Sequence, residues 1–421
     1  MTARQGGTGP RSGAAPRRAA AALPAFLLLY GALYAAYGTE SAYLPAFFQA
    51  HALPVQSIGT VLAAGTVVRI LAGPAAGRLA DRLGARRGVL AAAAGLSGLV
   101  GTAYLGAYGL LPLLAVCLAH SAVTAPLAPL CDALAVPAAA GPRGFRYGWV
   151  RGAGSAAFVG GTLASGQLVD RFGLACIIVA SSALFLLMAP CAARVAAPAE
   201  PEGDRTEPAA GSAGAAGSSG GSGAFGRLLA IPAYRTLLVV VSLVIGSHAL
   251  NDAFAVITWR DAGYDGTVVS LLWSESVVAE VLVFFLLGPW LIDRLGAAGA
   301  ASLSAAAGML RWGVMGATSA LPALVAVQSL HGLTFALLHL AAMRVIGAAV
   351  PDRLSATAQS VYGTFALGTA SAVLTFASGY LYGAVGLRAF WAMAALCAMA
   401  LPFARGLAAE APAGPKPREN G

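Results

Sequence analysis

Residues 126–158, PLAPLCDALAVPAAAGPRGFRYGWVRGAGSAAF, place an acid, Asp132, and a base, Arg151, inside two apolar runs joined at Gly141-Pro142. Asp132 lies nine residues before Gly141, and Arg151 nine residues after Pro142. If both flanks are helices, the charges share one depth, roughly 13 Å from the turn at 1.5 Å per residue. That depth lies beneath a bilayer surface, where a charge is costly and faces a cavity or a partner. Two readings follow. The pair is a structural tie between two helices, or it is part of a solute site.

The rest of the chain explains why a bilayer is the expected solvent. Of 421 residues, 58% are hydrophobic and only 10% are Asp, Glu, Lys or Arg, too apolar a balance for a water-soluble chain of this length. The formal charge of +9 sits at the ends of apolar runs with no aromatic-basic patch, so nucleic acid is not an expected partner. Cys117, Cys131, Cys176, Cys191 and Cys397 lie within apolar runs without metal-ligand spacing. They read as small core residues, and no metal, cofactor or disulfide is expected.

Residues 1–22 read as a disordered tail carrying Arg4, Arg11, Arg17 and Arg18, and the apolar run 23–48 after it is too long for a cleaved signal. Five further runs of spanning length follow, 55–79, 89–108, 111–137, 147–169 and 174–195. Residues 196–228 then form a low-complexity Gly/Ser/Ala stretch, read as a flexible linker. Beyond it lie six more runs, 234–257, 268–292, 297–319, 322–347, 356–382 and 388–404, and a second tail at 405–421. The expected fold class is an all-α membrane protein of 12 transmembrane helices in two pseudo-symmetric six-helix bundles, 23–195 and 229–404. With both ends in the cytoplasm, the outer connections hold only Arg171, Arg260 and Arg388 of the 26 Lys and Arg residues. The positive-inside rule supports that orientation.

Internal repetition agrees. GRLADRLGARR (77–87) follows the second run and PWLIDRLGAAG (289–299) the eighth, while GQLVDRFG (166–173) and GYLYGAVG (379–386) follow the fifth and eleventh. Like motifs at like positions in two halves are the mark of a duplicated transporter.

Gly77, Asp81, Arg82, Gly84 and Arg86 resemble the loop signature G-x-x-x-D-R-x-G-R-R of the major facilitator superfamily, with Ala85 departing from it. The resemblance implies a cytoplasmic gating loop that latches the two halves, with Asp81 capping a helix amino terminus and the arginines pairing with acids. A topology-setting basic loop is the plainer reading. PLAPLCDALA (126–135), YGWVRGAGSAAF (147–158), VVAEVLVFF (277–285), RWGVMGATSALP (311–322) and LHGLTFALLHLAAMRVI (330–346) further resemble the 3-phenylpropionic acid transporter group, relatives of lactose permease.

By that resemblance, Asp132 and Arg151 match the acid and arginine that grip substrate, and Phe158 a stacking aromatic. Arg151 suits a two-pronged hold on a carboxylate and Phe158 a cover for a ring, although a neutral sugar or nucleoside suits the acid-base pair equally well. Glu280 and Arg311 lie 15 residues either side of Leu295-Gly296 and form a second candidate pair. Gln328, His331, Phe335 and His339 fall at i, i+3, i+7 and i+11, on one helical face. His331 matches a coupling histidine, but Thr334 stands where lactose permease has its proton-carrying glutamate. The expected substrate site is thus Asp132, Arg151, Phe158, Gln328 and His331. Proton coupling is expected from Glu280, Arg311, His331 and His339, with Asp132, or no coupling at all, also open. Glu40 with Arg69 reads as a pair of its own, and Asp252, Glu275 and Arg344 as groups near helix ends, outside the site.

Together these imply a non-enzymatic, monomeric secondary transporter of the inner membrane, with a small-molecule substrate and alternating access powered by a proton gradient. An aromatic carboxylate such as 3-phenylpropionate is the first substrate reading, and a sugar or nucleoside the second. An exporter is disfavoured because RGAGSAAFVGGTLASGQL lacks the proline of the drug-antiporter motif. The absence of H-E-x-x-H and G-x-S-x-G argues against an enzyme. A transporter-like ligand sensor is the alternative that moves nothing.

Overall fold

A computed structural model describes residues 22–140, 144–195 and 221–410, and among them every regular element is helical. The helices are α1 (Ala22–Ser41), α2 (Leu44–Ala50), α3 (Val55–Arg82), α4 (Arg86–Thr102), α5 (Leu110–Thr124), α6 (Leu127–Ala140), α7 (Tyr147–Phe172) and α8 (Ala175–Arg194). After the gap come α9 (Gly221–Leu229), α10 (Pro232–Val244), α11 (His248–Asp261), α12 (Gly266–Leu282), α13 (Gly288–Ala317), α14 (Leu321–Gln328), α15 (Leu338–Ala349), α16 (Asp352–Val361), α17 (Ala370–Val385) and α18 (Ala389–Glu410). Three wider π turns, Val283–Leu287, Leu333–Leu337 and Tyr362–Thr369, interrupt the second half.

Local chemistry sets these limits. Pro45, Pro232 and Pro322 stand in the first turns of α2, α10 and α14, where a missing N–H costs nothing. The Asp265 carboxylate accepts the Val268 N–H at 2.8 Å and caps α12. Among the described residues, eight segments are long and apolar enough to cross a membrane. Two of them, Gly266–Ala317 and Asp352–Leu407, contain 52 and 56 residues, and each holds a glycine in the left-handed region: Gly296 at φ 66° and Gly386 at φ 57°. As straight rods they would be about 80 Å long against a core of about 30 Å, so the glycines are where the chain turns back.

Several expectations change. Residues 221–229 of the expected linker and tail-side boundary are helical, with Leu228 fully buried, and α18 runs on through Glu410 into the expected tail. Residues 1–21, 196–220, 411–421 and the turn at Gly141-Pro142 lie outside the described residues. The expected first, fourth and seventh runs each contain a break, at Ala42-Tyr43, at Ala125-Pro126 and between Val244 and His248.

The helices pack as two groups. In the first, α1 lies against α7 and α8, α4 against α8, and α3 against α5; in the second, α13 and α10 lie against α18 and α13 against α15. Across the groups α3 packs on α17 and α7 on α12. A side chain at Gly59 would meet the Thr375 carbonyl at 2.6 Å and Gly379 at 2.8 Å, so α3 and α17 approach backbone to backbone. Among the described residues, every side-chain hydrogen bond joining the groups lies at this same end: Tyr43 to the Gly266 carbonyl, and Asp170 to Gly266 and Thr267. The molecule is pinned shut at one end. At the other, the signature loop pairs within itself.

Candidate functional site

Between the two groups lies a cavity of about 640 Å³. The first group lines it with Glu40, Arg69, His120 and Phe158 among others, the second with His248, Asn251, Asp252, Trp273, His331 and Phe335. Tyr37, Tyr104, Phe158, Trp273 and Phe335 give the wall aromatic faces beside Ser and Thr hydroxyls and the charged Glu40, Arg69 and Asp252, a mixture of apolar surface and a few polar groups that suits a solute site.

Two of the expected substrate residues, Phe158 and His331, stand on this wall. Asp132, Arg151 and Gln328 do not. The Asp132 carboxylate accepts the Tyr30 hydroxyl at 2.5 Å and the Tyr147 hydroxyl at 2.8 Å, while the Arg151 guanidinium lies 4.7 Å over the Tyr34 ring. The two make no ion pair within 4.0 Å; the residues before Tyr147 are not helical, so Arg151 falls in the second turn of α7. The tyrosines take the place of the expected ion pair.

The second expected pair is also indirect. Within 4.0 Å, the described ion pairs are Asp81–Arg86, Glu40–His120, Glu280–His331 and Asp293–Arg344. Arg311, wholly buried, donates to Gln328 Oε1 at 2.6 Å and lies 2.8 Å from His331 Nδ1, with its guanidinium 4.4 Å over Trp312. The other ring nitrogen, His331 Nε2, is 3.4 Å from Glu280. Glu280, His331, Arg311 and Gln328 therefore form one relay, with the histidine between acid and base. A chain of this kind lets a proton on His331 be felt at both ends.

The expected single face of the tenth run is broken by the π turn Leu333–Leu337, which adds a residue to the local repeat. His331 and Phe335 stay on the cavity with their rings stacked at 5.8 Å, whereas Gln328 turns to Arg311 and His339 to the Tyr362 hydroxyl at 2.9 Å.

In the loop expected to gate, Asp81 pairs with Arg86 at 2.7 Å and, among the described residues, bonds nothing in the other group. Arg82 is exposed, Gly84 adopts φ 58°, and a side chain at Gly77 would meet nothing within 4 Å. The helix-capping expected of Asp81 is instead made at the opposite end by Asp170, whose carboxylate accepts the Gly266 N–H at 2.6 Å, the Thr267 N–H at 2.9 Å and the Thr267 hydroxyl at 2.8 Å. Each aspartate is followed directly by Arg and three residues on by Gly, in DRLG and DRFG.

Sequence reasoning set aside Glu40, Arg69 and Asp252, and all three line the cavity. Glu40 does not pair with Arg69; its carboxylate is 3.9 Å from His120 Nδ1. Asp252 is no end-group either, because the break before His248 turns that part of the run toward the cavity. Their signal was the bare fact of charge inside an apolar run.

A helical membrane protein with a solute-sized cavity between two helix groups, closed at one end by contacts between them, is built as a carrier. The sequence model of the MFS_1 like family matches residues 22–393, and the chain belongs to that family of major facilitator transporters, which are not enzymes. It is 34% identical over 392 residues to the probable 3-phenylpropionic acid transporter of Escherichia coli (strain K12), a match spanning 89% of this chain and 95% of that one. It is 28% identical over 366 residues to the maltose permease of Geobacillus stearothermophilus, covering 86% and 88%. The crystal structure of the nucleoside transporter NupG superposes with a TM-score of 0.75 at 15% identity, covering 92% of this chain and 98% of that one. The chain is thus a multi-pass membrane transporter.

Proposed function

We propose that this protein takes up an aromatic monocarboxylate such as 3-phenylpropionate across the inner membrane by alternating access, in symport with protons. The observation that carries the proposal is the cavity itself: closed at one end and walled by Phe158, Trp273, Phe335, the Glu40–His120 pair and His331, with Glu280 3.4 Å from His331. The name of the Escherichia coli relative supports the substrate class, since the wall offers rings for a phenyl group to stack on.

In this reading the passes number twelve: the eight apolar segments, two of them folded back on themselves, together with α1–α2 and α7. They form two six-helix bundles, with both ends of the chain and the Asp81 loop in the cytoplasm. The closed end then faces outward and the cavity opens inward. Phe158 and His331 touch the solute, Asp132 and Arg151 line the inner approach, and Gln328 positions Arg311. The Glu280–His331–Arg311 relay carries the coupling proton, and His339 with Tyr362 stands behind it. The carrier works as a monomer.

A neutral sugar or nucleoside is the second reading, favoured by the maltose permease match and by the histidine-bound acids, which suit hydroxyl groups. Uptake of labelled 3-phenylpropionate into proteoliposomes, with and without an inward proton gradient, separates the two. Gradient-driven accumulation supports the aromatic acid. Accumulation of a sugar or nucleoside alone refutes it, and binding without counterflow of any solute identifies a sensor.

A further inference from the structure

The arginine expected to clamp a carboxylate, Arg151, is not on the cavity wall, and neither is Arg311, which is wholly buried with Nη1 directed to His331 and Nη2 to Gln328. Arg344 is paired with Asp293 away from the cavity. One arginine remains on the wall. Arg69, on α3, lines the cavity with an exposed side chain and has no carboxylate of the described residues within 4.0 Å. The acid on its own side, Glu40, is buried and turned to His120.

A guanidinium inside a membrane protein is costly to keep without a partner. It is planar, permanently charged and fitted to take a carboxylate in two parallel hydrogen bonds. Gly65, one helical turn earlier on α3, is where a side chain would strike Ser121 Oγ at 2.7 Å and Cys117 Sγ at 3.0 Å, so this face of α3 is seated firmly on α5. Arg69 is therefore carried by a fixed helix face. Phe158, on the neighbouring α7, and Phe335 and Trp273, from the other group, supply apolar wall to the same cavity.

We propose that Arg69 is the anion-binding residue of the cavity and receives the carboxylate of the transported acid, with the apolar part of the solute lying against the aromatic rings. This rests on the proposed carboxylate-transport reading and moves the charge recognition from Arg151 on α7 to Arg69 on α3. Arg151, stacked on Tyr34, serves the inner approach rather than the bound solute.

The test is equilibrium binding to the purified full-length protein, followed by isothermal titration calorimetry, with 3-phenylpropionate, cinnamate, benzoate and acetate, the neutral 3-phenylpropanamide, maltose and uridine. Arg69→Gln is expected to weaken carboxylate binding about 100-fold, and Arg69→Lys about 10-fold because the point charge survives without the two-pronged geometry. Arg151→Gln is expected to stay within about threefold of wild type. The Lys variant, together with monodisperse elution in detergent, keeps the test valid should the Gln variant misfold. If another carboxylate binds through Arg69 but 3-phenylpropionate does not, the anion site stands and the substrate label falls. If 3-phenylpropionate binds equally well to wild type and both Arg69 variants, the label stands and the assignment of Arg69 is overturned. Binding of maltose or uridine with no carboxylate overturns both.

Discussion

Replacing Asp170 by Ala should open the closed end. Its carboxylate accepts three hydrogen bonds, from the Gly266 and Thr267 N–H groups and the Thr267 hydroxyl, at 2.6, 2.9 and 2.8 Å. They tie the last turn of α7 to the first turn of α12, across the two helix groups, so the interaction exists only while that end is shut. Losing a helix cap costs about 0.5–2 kcal/mol and losing a negative charge at a helix amino terminus about 0.3–1 kcal/mol. Asp170 is exposed, so solvent competes for its bonds and about 1–2 kcal/mol is the fitting sum. That changes the ratio of the two states about 5–30-fold. A minor state populated at about 1% would rise to about 5–25%. Spin labels on Arg171→Cys and Ala262→Cys, in a background with the native cysteines replaced, report the separation of the two groups by double electron-electron resonance. The expected result is a second, longer distance in Asp170→Ala, with Asp170→Asn intermediate because its amide oxygen still accepts. An unchanged distance distribution in Asp170→Ala would refute the assignment of this carboxylate as a latch.

Two further outcomes follow from the packing. Gly59→Val places a side chain where the Thr375 carbonyl and Gly379 lie within 3 Å, an overpacking cost of about 1–3 kcal/mol that falls only on the closed state; the same spin-label pair should lengthen. Arg311→Ala leaves Gln328 Oε1 and His331 Nδ1 without their donor in a buried site, at about 1–3 kcal/mol for each orphaned group. The melting temperature of the detergent-purified protein should fall, whereas Arg151→Ala, which removes only a stack on Tyr34, should leave it close to wild type.

The helical membrane architecture and the runs that build it were legible because they follow from hydropathy and from the glycine and proline punctuation between them. The Leu295-Gly296 reversal is an example: it was visible as a turn in the sequence, and Gly296 adopts φ 66° there. The site was legible only as a set of unusual residues. Asp132, Arg151, Glu280 and Arg311 stood out as charges in apolar runs, but their partners are tyrosines, a glutamine and a histidine contributed by α1, α7, α14 and the segment between α14 and α15. Such pairings are fixed by tertiary packing, which equal spacing from a turn does not encode. Helical phase misled in the same way at His339, because nothing in LTFAL announces a π turn, and one added residue carries everything beyond it to another face. Equal depth in the sequence pairs Glu40 with Arg69. The third dimension gave it His120 instead and left the arginine facing the cavity.

The two aspartate loops supply the last step. Asp81 in ADRLG and Asp170 in VDRFG share a local sequence, yet one pairs with Arg86 inside its own loop while the other caps a helix of the opposite group. α3 carries Asp81 at the end opposite the Gly59–Gly379 approach, and α7 carries Asp170 at the same end as that approach. In the proposed alternating access these situations exchange: when the Asp170 contact breaks, the Asp81 end would close and Asp81 would gain a partner across the groups. The two carboxylates then favour opposite states, each by the about 1–2 kcal/mol of a capped helix end. Asp81→Asn should therefore stabilise the state closed at the Asp170 end and shorten the mean spin-label distance seen in Asp170→Ala. The double variant should return toward the wild-type ratio, because sites this far apart contribute additively to the equilibrium. If Asp81→Asn lengthens the distance instead, or leaves that of Asp170→Ala unchanged, the loop only sets topology and Asp170 works without a counterpart.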